Sequence, residues 1–232
     1  MTIQLYDLAG KEDNRRFSPY CWRVRMALAH KELDVNTIAW RFTEKDAIAQ
    51  SNQLSVPVII NDDDCISDSW NIACYLDEKY PNSPALFETS KDKALSQFIK
   101  NWVERDLFPH FIRILALDIH DHLHDKDKAY FRETRELRFK TTLEDFTSNT
   151  EKSIKDLNIA LSPARATLNT QPYLCGAQAA FADYILFAAF QWARCVSPTQ
   201  LLMPDDVIYE WREKMLNLYN GLARNETLAY NV

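Results

Sequence analysis

Glycine is scarce in this chain of 232 residues, which contains only Gly10, Gly176 and Gly221. Folds that need many left-handed turns, tight hairpins or glycine-rich phosphate loops are therefore disfavoured, and we exclude a Rossmann or P-loop nucleotide site. The sequence also lacks any pattern of paired cysteines. Its 5 cysteines are an odd number, are widely spaced and include no C-x-x-C motif. A chain of this length needs no disulfides to hold its core, so we predict reduced thiols.

A basic excess and long apolar runs are absent as well. The 33 acidic residues outnumber the 27 basic ones and give a net charge of −6, which does not attract polyanions, so we predict no nucleic-acid partner. No apolar run approaches the ~18 residues that cross a bilayer. The first residues, MTIQLYDL, lack a basic segment followed by an apolar one. We expect a cytoplasmic protein with no membrane partner.

The composition is that of a globular protein, with 47% hydrophobic, 26% charged and 12% aromatic residues. Up to residue 80 the hydrophobic spacing predicts the order βαβ, a short polar helix, then ββα. The predicted strands are 3–7, 35–40, 56–60 and one near 65–66, and the predicted helices are 19–31, 44–50 and 68–80. The sequence therefore predicts an α/β domain at 1–82.

Strand patterns almost disappear after residue 90, and helical spacing continues to the end of the chain. The predicted helices are 91–117, 127–139, 151–168, 181–195 and 205–220. Pro163 lies inside one of these stripes and should break that helix. The segment 181–195 is apolar on nearly every side, which is typical of the central helix of a bundle. We predict an all-helical domain at 90–232, joined to the first domain by the proline-rich stretch 80–88.

The segment between the first strand and the first helix carries the most chemical information. Ser18, Pro19, Tyr20 and Cys21 follow one another there. The start of a helix presents unpaired N–H groups and the positive end of the helix dipole, which favour an anion such as a thiolate. Ser18 has only a hydroxyl, so the reactive sulfur would have to come from a bound thiol. The plain alternative is a serine N-cap followed by proline, a common helix start.

Two further elements point to a family. The apolar-proline pair Val56-Pro57 precedes the third strand, and the acidic-serine pair Asp68-Ser69 opens the next helix. Together with the Ser-Pro-aromatic turn and the helical second half, they resemble the serine-type members of the glutathione S-transferase superfamily, which join a thioredoxin-like domain to a helical bundle. Residues 130–136 and 181–187 are similar to the bacterial and fungal branch that includes the lignin β-aryl-etherases. The resemblance covers essentially the whole chain.

The resemblance implies a role for each of these residues. Ser18 would be the catalytic residue, donating a hydrogen bond to the glutathione thiolate. A cis bond before Pro57 would turn the Val56 backbone outward to pair with glutathione, although trans has the higher base rate. Ser69 would bind the γ-glutamyl carboxylate and Asp68 would pair with the ammonium, whereas both are also ordinary helix-start residues. Family members usually carry glutamate at the position of Asp68.

The acceptor of the sulfur is expected between the two domains. Tyr20 and the first bundle helix would provide aromatic and apolar walls, which imply an apolar or aromatic electrophile. The helix residues concerned are Trp102, Phe108, Phe111 and Ile112. Each of them singly could instead be a core or dimer contact. Arg41, after the second strand, is a candidate for binding the glycine carboxylate of glutathione, with a solvent-facing position as the alternative.

Two other groups of chemically active residues are given structural roles. Cys21 lies one turn into the helix, away from the N–H groups that lower a thiol pKa, so dithiol exchange is disfavoured and a small buried side chain is expected. In the run 118–125, His120 and His124 are four residues apart and would share one face of a helix. Because its alternate ligands point to opposite faces and cannot converge, we predict no metal site.

Two positions depart from the family pattern. Ala180 stands where a serine or threonine normally caps the central bundle helix, so a cap worth ~1 kcal/mol is expected to be lost. Lys31-Glu32 stands where the family has Lys-Gly, so a left-handed helix end is either taken by a non-glycine residue or absent. Neither change touches the predicted thiol site.

We therefore predict a glutathione transferase that uses glutathione as co-substrate and transfers it to an apolar or aromatic electrophile. Cleavage of β-aryl ethers and a homodimeric assembly follow from the resemblance alone. Two alternatives stay open at this point. One is a non-catalytic module of the same fold that binds a protein or apolar ligands, and the other is a glutathione-dependent reductase or peroxidase that works through a cysteine.

Overall fold

A four-stranded mixed sheet organises the first part of the chain. The computed structural model describes residues 2–226 and residue 228. The strands lie in the order β2-β1-β3-β4. β1 pairs in parallel with β2 and antiparallel with β3, which pairs antiparallel with β4. Their bounds are Ile3–Leu8 for β1, Val35–Trp40 for β2, Val58–Asn61 for β3 and Asp64–Ser67 for β4.

Two α-helices complete this domain and confirm the predicted element order. α1, Pro19–His30, connects the parallel pair β1 and β2, and α2, Ser69–Lys79, follows β4. The predicted short helix is a 3-10 helix, Lys45–Ser51. The strand predicted from Val56 begins two residues later, because Pro57 has no N–H to give to the sheet. The result is the predicted thioredoxin-like fold.

The second part is a bundle of α-helices, as predicted. α9 lies at its centre, with almost every residue buried, and contacts α1, α3 and α4. The bounds are α3 Ser90–Trp102, α4 Phe108–His122, α5 Asp125–Phe139, α6 Leu143–Thr147, α7 Thr150–Ala160, α8 Ser162–Leu168, α9 Phe181–Val196 and α10 Val207–Gly221. No helix among the described residues is both long and apolar enough to cross a bilayer.

Prolines account for two helix interruptions. The break predicted at Pro163 is found, with α7 ending at Ala160 and α8 beginning at Ser162. The segment predicted as one helix over 91–117 is helical throughout, but a π-helical turn, Val103–Leu107, lies between α3 and α4. Pro109 follows this turn and has no N–H to donate to the preceding carbonyls, which explains why the regular pattern changes here.

The two departures from the family pattern have simple structural solutions. Glu32 adopts the left-handed conformation after α1, with φ of 56°, so a non-glycine residue takes the position usually given to glycine. At the start of α9, Ala180 has no side-chain cap, but its N–H donates to the Asp183 carboxylate at 3.2 Å. Half of the capping box is therefore present.

Direct contacts fasten the two domains beside the site. Lys11 N–H donates to the His122 carbonyl at 2.8 Å, and a Cβ on Gly10 would come within 2.7 Å of that oxygen. Only glycine fits this close approach. The buried Asp127 carboxylate on α5 accepts hydrogen bonds from Phe42 N–H and Thr43 N–H, both at 3.0 Å, and from the Thr43 hydroxyl at 2.7 Å. These bonds fix the segment after β2 against α5.

Candidate functional site

Ser18 lies at the N-cap of α1, where its extended backbone begins the helix and Pro19 occupies the first helical position. Its Oγ accepts a hydrogen bond from Cys21 N–H at 3.3 Å, and only 4% of the residue is exposed. The remaining hydroxyl hydrogen is available to a ligand. Ser18 lines a cavity of about 650 Å³ between the two domains.

The Val56-Pro57 bond is cis. Val56 and its neighbour Ser55 line the same cavity as Ser18. Among the described residues, no hydrogen bond is made by the Val56 N–H or C=O. An unpaired backbone donor and acceptor on one residue can pair with an extended peptide in the manner of an added strand.

Asp68 and Ser69 form the start of α2. Asp68 has φ of 71°, and its Oδ1 accepts hydrogen bonds from Trp70 N–H at 3.0 Å and Asn71 N–H at 3.1 Å. Its exposed second oxygen is left for a partner in solution. Ser69 is buried, and its Oγ has no hydrogen-bond partner. An unpaired buried hydroxyl is costly, and this one is available to a ligand atom at the helix N-terminus.

The cavity is rich in aromatic residues and combines residues of both domains. Its aromatic lining consists of Phe17, Tyr20, Trp40, Phe42, Phe108, Phe131, Phe139, Phe146 and Trp192. Tyr20 contacts Phe108 edge to face, with ring centroids 5.7 Å apart. Ile112 also lies on the wall. A cavity with this lining accommodates an apolar or aromatic compound next to the start of α1.

A buried ion pair supports the wall next to Tyr20. Arg23 donates to Glu104 at 2.6 Å and lies 4.8 Å from the centre of the Tyr20 ring. Lys100 also reaches Glu104, at 3.0 Å. Burial raises the pKa of the Tyr20 hydroxyl, Arg23 and Arg138 lower it, and Asp68 raises it. Charged residues of both domains therefore influence the hydroxyl of Tyr20, which lines the cavity.

Removing the carboxylate of this pair should destabilise the protein. Glu104→Gln leaves the fully buried Arg23 without a counter-charge, and we expect the free energy of unfolding to fall by about 2 kcal/mol in urea titrations. Lys100→Gln is the matched control, because Lys100 lies on the solvent side and should cost under about 0.5 kcal/mol. Equal stabilities of Glu104→Gln and the control would contradict the structural role of the pair.

Not every predicted residue lies on the cavity. Phe111 is fully buried behind the wall, where it packs on Phe190 and Trp192. Trp102 is also outside the lining. Arg41 points to the loop after β1, where its guanidinium donates to the Gly10 carbonyl at 3.1 Å and forms an ion pair with Asp13.

Cys21, His120 and His124 lie in environments typical of structural side chains. Cys21 is fully buried, and burial followed by the charge of Asp7 raises the pKa of its thiol well above the usual value. His124 caps α5, accepting from Lys126 N–H at 3.3 Å, whereas His120 belongs to α4, so the predicted shared helix face is wrong. Among residues 2–226 and 228, no group of three or more histidine, cysteine, aspartate or glutamate side chains could hold a metal ion.

Several cavity residues escaped the sequence-based prediction. Arg113 on α4 and Arg135 and Arg138 on α5 all line it, as does Trp192 from α9. Their helices are distant in sequence from the Ser18 motif, and a lone arginine in an amphipathic helix is indistinguishable from a solvated surface residue. The one feature of the sequence that indicates these cavity residues is the high content of aromatic residues and arginine in 130–139.

Family models agree with both halves of this architecture. The glutathione S-transferase N-terminal domain matches residues 14–84, and the glutathione S-transferase C-terminal domain matches residues 94–207. A thioredoxin-like domain with a site at the start of its first helix, closed by a helical domain, is the architecture of glutathione transferases. The chain belongs to the glutathione S-transferase superfamily.

Curated relatives match only in part. Glutathione S-transferase 1 of Dianthus caryophyllus is 34% identical over 112 residues, covering 46% of this chain and 48% of that protein. Glutathione S-transferase Z1 of Arabidopsis thaliana is 34% identical over 93 residues, covering 38% of this chain and 42% of the relative. The alignments thus span about half the length of these relatives or less.

Solved structures share the fold over nearly the whole chain. A glutathione S-transferase of Ceriporiopsis subvermispora in complex with glutathione has a TM-score of 0.81 at 21% identity, covering 95% of this chain and 97% of that one. Glutathione transferase GSTFuA3 of Phanerochaete chrysosporium has a TM-score of 0.77 at 22% identity, covering 95% and 92%.

Proposed function

We propose that this protein is a glutathione transferase that binds glutathione along the start of α1, Val56 and the start of α2. The observation that carries the proposal is a set of unused polar groups at the start of α1, before β3 and at the start of α2. These are the Ser18 hydroxyl hydrogen, the Val56 backbone groups and the buried Ser69 Oγ. Each has the chemistry required by one part of the tripeptide, namely its sulfur, its central backbone and its γ-glutamyl carboxylate.

The proposed reaction is nucleophilic substitution. The Ser18 hydroxyl and the N–H groups of the first turn of α1 stabilise the thiolate of bound glutathione. The sulfur then attacks an electrophilic carbon of a compound in the aromatic cavity. A carbon–sulfur bond forms, and the leaving group departs with the electron pair of its former bond.

The finer predictions stay part of this proposal. A β-aryl ether would react by the same substitution, with a phenoxide as leaving group. Homodimer formation and a cytoplasmic location also remain predictions. Arg41 would bind the glycine carboxylate only after leaving its contacts with Gly10 and Asp13.

Calorimetric titration with glutathione tests the binding site, and Asp68→Asn is the informative variant. Asparagine preserves the cap of α2 but removes the negative charge that would pair with the ammonium of glutathione. We expect the Kd for glutathione to rise about tenfold, the effect of a charge-assisted hydrogen bond. Ser69→Ala should weaken binding by a similar factor because it removes the unpaired hydroxyl.

Asp62→Asn is the matched control, since Asp62 lies in the turn between β3 and β4 and carries the same charge. It should leave the Kd unchanged. Failure to bind glutathione at millimolar concentration would overturn the transferase proposal and favour the non-catalytic module. Unchanged affinity in both Asp68→Asn and Ser69→Ala would place glutathione elsewhere on the protein.

A further inference from the structure

The cavity next to Ser18 has an unusual charge balance. Its charged lining residues are Glu104, Arg113, Arg135 and Arg138. Glu104 is already neutralised by its ion pairs with Arg23 and Lys100. Three cations therefore remain in a chain whose net charge is −6. Overall composition does not explain this local excess.

None of the three cavity arginines forms an ion pair with a carboxylate within the described part of the chain. Two carboxylates on and next to α5, Glu136 and Glu144, are paired with Arg132 rather than with the cavity arginines. Arg135 donates to the Thr134 hydroxyl at 2.9 Å, which leaves its charge uncompensated. Arg135 is half-buried against apolar walls, so water screens its charge less and it interacts strongly with an arriving anion.

Aromatic rings pack against two of the three cavity arginines. The Arg135 guanidinium lies 4.6 Å from the centre of the Phe131 ring and 5.1 Å from that of Phe42. The Arg113 guanidinium lies 4.7 Å from the centre of the Phe146 ring. Such stacking leaves the edge of the guanidinium, with its N–H donors, free to bind an anion.

The arginines share the cavity with the reacting end at Ser18. Arg135 and Arg138 are three residues apart on α5 and therefore share one helix face. The charge of Arg138 acts on the hydroxyl of Tyr20, two residues beyond Ser18. The hydrogen bonds of Asp127 fix α5 against the first domain. This arrangement spans the cavity from the thiol end to the α5 wall.

We propose that the acceptor of the sulfur is an aromatic anion, whose carboxylate or similar oxyanion is bound by Arg113, Arg135 and Arg138 while its ring packs on the aromatic wall. This inference rests on the proposed transferase function and specifies its substrate class. A neutral aromatic compound would cover the same rings but leave the guanidinium groups without a partner. The glycine carboxylate of glutathione offers the same chemistry, so the experiment must separate the two sources.

The test compares 4-chloro-3-nitrobenzoate with 4-chloro-3-nitrobenzamide, which differ in charge but little in shape. Each kcat/KM is divided by the rate constant of the uncatalysed reaction with glutathione, because the two rings differ in intrinsic reactivity. We expect the corrected ratio to favour the benzoate by about tenfold or more. The double variant Arg113→Gln with Arg138→Gln keeps Arg135 and should lower the ratio by about threefold or more. Both side chains are exposed, so the fold should persist.

Lys128→Gln is the matched control, because it removes one positive charge from α5 outside the cavity lining. It should leave the ratio unchanged. A ratio near unity in the wild type, or a preference for benzoate that is undiminished in the double variant, would overturn the inference. A raised KM for glutathione with an unchanged ratio would also overturn it, since the arginines would then serve the glycine carboxylate.

A binding measurement keeps this inference separate from the transferase proposal. Calorimetry with the unreactive pair 3-nitrobenzoate and 3-nitrobenzamide, with and without saturating S-methylglutathione, should show the same preference for the anion and the same loss in the double variant. If glutathione neither binds nor reacts, the transferase proposal fails, and the affinity ratio on the free protein still decides whether the cavity selects anions. Equal affinities would overturn the inference in either case.

Discussion

Replacing Ser18 by alanine should lower kcat/KM for glutathione transfer by about 10- to 100-fold. One hydrogen bond to a charged group contributes roughly 1.5–3 kcal/mol, which corresponds to that range of rate. The same loss should raise the pKa of the bound glutathione thiol, because the neutral thiol gains less than the thiolate from the Ser18 hydroxyl. The ultraviolet absorbance of the thiolate, followed against pH in the binary complex, measures this change directly.

The structural role of Ser18 requires a separate control. Its Oγ also caps α1 by accepting from Cys21 N–H at 3.3 Å. Glycine at an N-cap costs only a few tenths of a kcal/mol, so Ser18→Gly removes the hydroxyl while preserving most of the helix stability. It should lose activity as Ser18→Ala does, whereas Ser18→Thr should keep much of it. Full activity in Ser18→Gly would show that the backbone N–H groups alone stabilise the thiolate.

Replacing Asp183 by alanine should lower the free energy of unfolding by about 3–5 kcal/mol at pH 7. The carboxylate is buried at the start of α9, where it accepts from Leu174 N–H at 2.8 Å, Ala180 N–H at 3.2 Å and the Trp211 indole N–H at 3.0 Å. Alanine leaves three donors without an acceptor, each at a cost of roughly 1–3 kcal/mol before relaxation. Urea unfolding measures the loss, and a decrease below about 1 kcal/mol would contradict this role.

The same residue should give stability a distinct pH dependence. Burial raises the pKa of Asp183 to about 6 from 3.8, although Leu174, Trp211 and Ala180 lower it. The folded state therefore binds the proton more tightly than the unfolded state. The resulting stabilisation is present below about pH 4 and is lost as the pH rises through about 6, an effect on the order of 2–3 kcal/mol.

Asp183→Asn serves as the control, because asparagine has the same shape and does not titrate. Its free energy of unfolding should lack this decline between pH 4 and pH 7, so the wild type should lose stability relative to it across that range. Parallel pH profiles for the two proteins would show that the hydrogen bonds keep the pKa of Asp183 near its ordinary value. The comparison isolates one carboxyl group from all other titrating residues.

The cysteine-dependent alternative finds no support in the geometry. The N-cap position at the start of α1 is occupied by Ser18, and Cys21 is completely buried one turn further on. Because burial raises the pKa of its thiol, Cys21 is neutral at physiological pH and a poor nucleophile. Any reactive sulfur at this site therefore has to arrive with a ligand.

Local patterns were sufficient for most of the fold. Period-two and period-3.6 spacing predicted the strands and nearly all the helices, because burial of one face imposes that spacing on the sequence. The break at Pro163 was predictable since proline removes a helix N–H. The short helix α6, Leu143–Thr147, was not predicted, because five residues are too few to show a period.

The sequence by itself determined the elements and the residues at the start of α1 and α2, because helix caps, prolines and hydrophobic periods act over a few neighbouring positions. Only the tertiary structure decided which aromatic residues line the cavity and which, such as Phe111, lie behind it. It also brought Arg113, Arg135 and Arg138 to the cavity that contains Ser18. Helix packing angles and contacts such as that of Asp127 with Phe42 and Thr43 set these distances, and they depend on residues far apart in the chain.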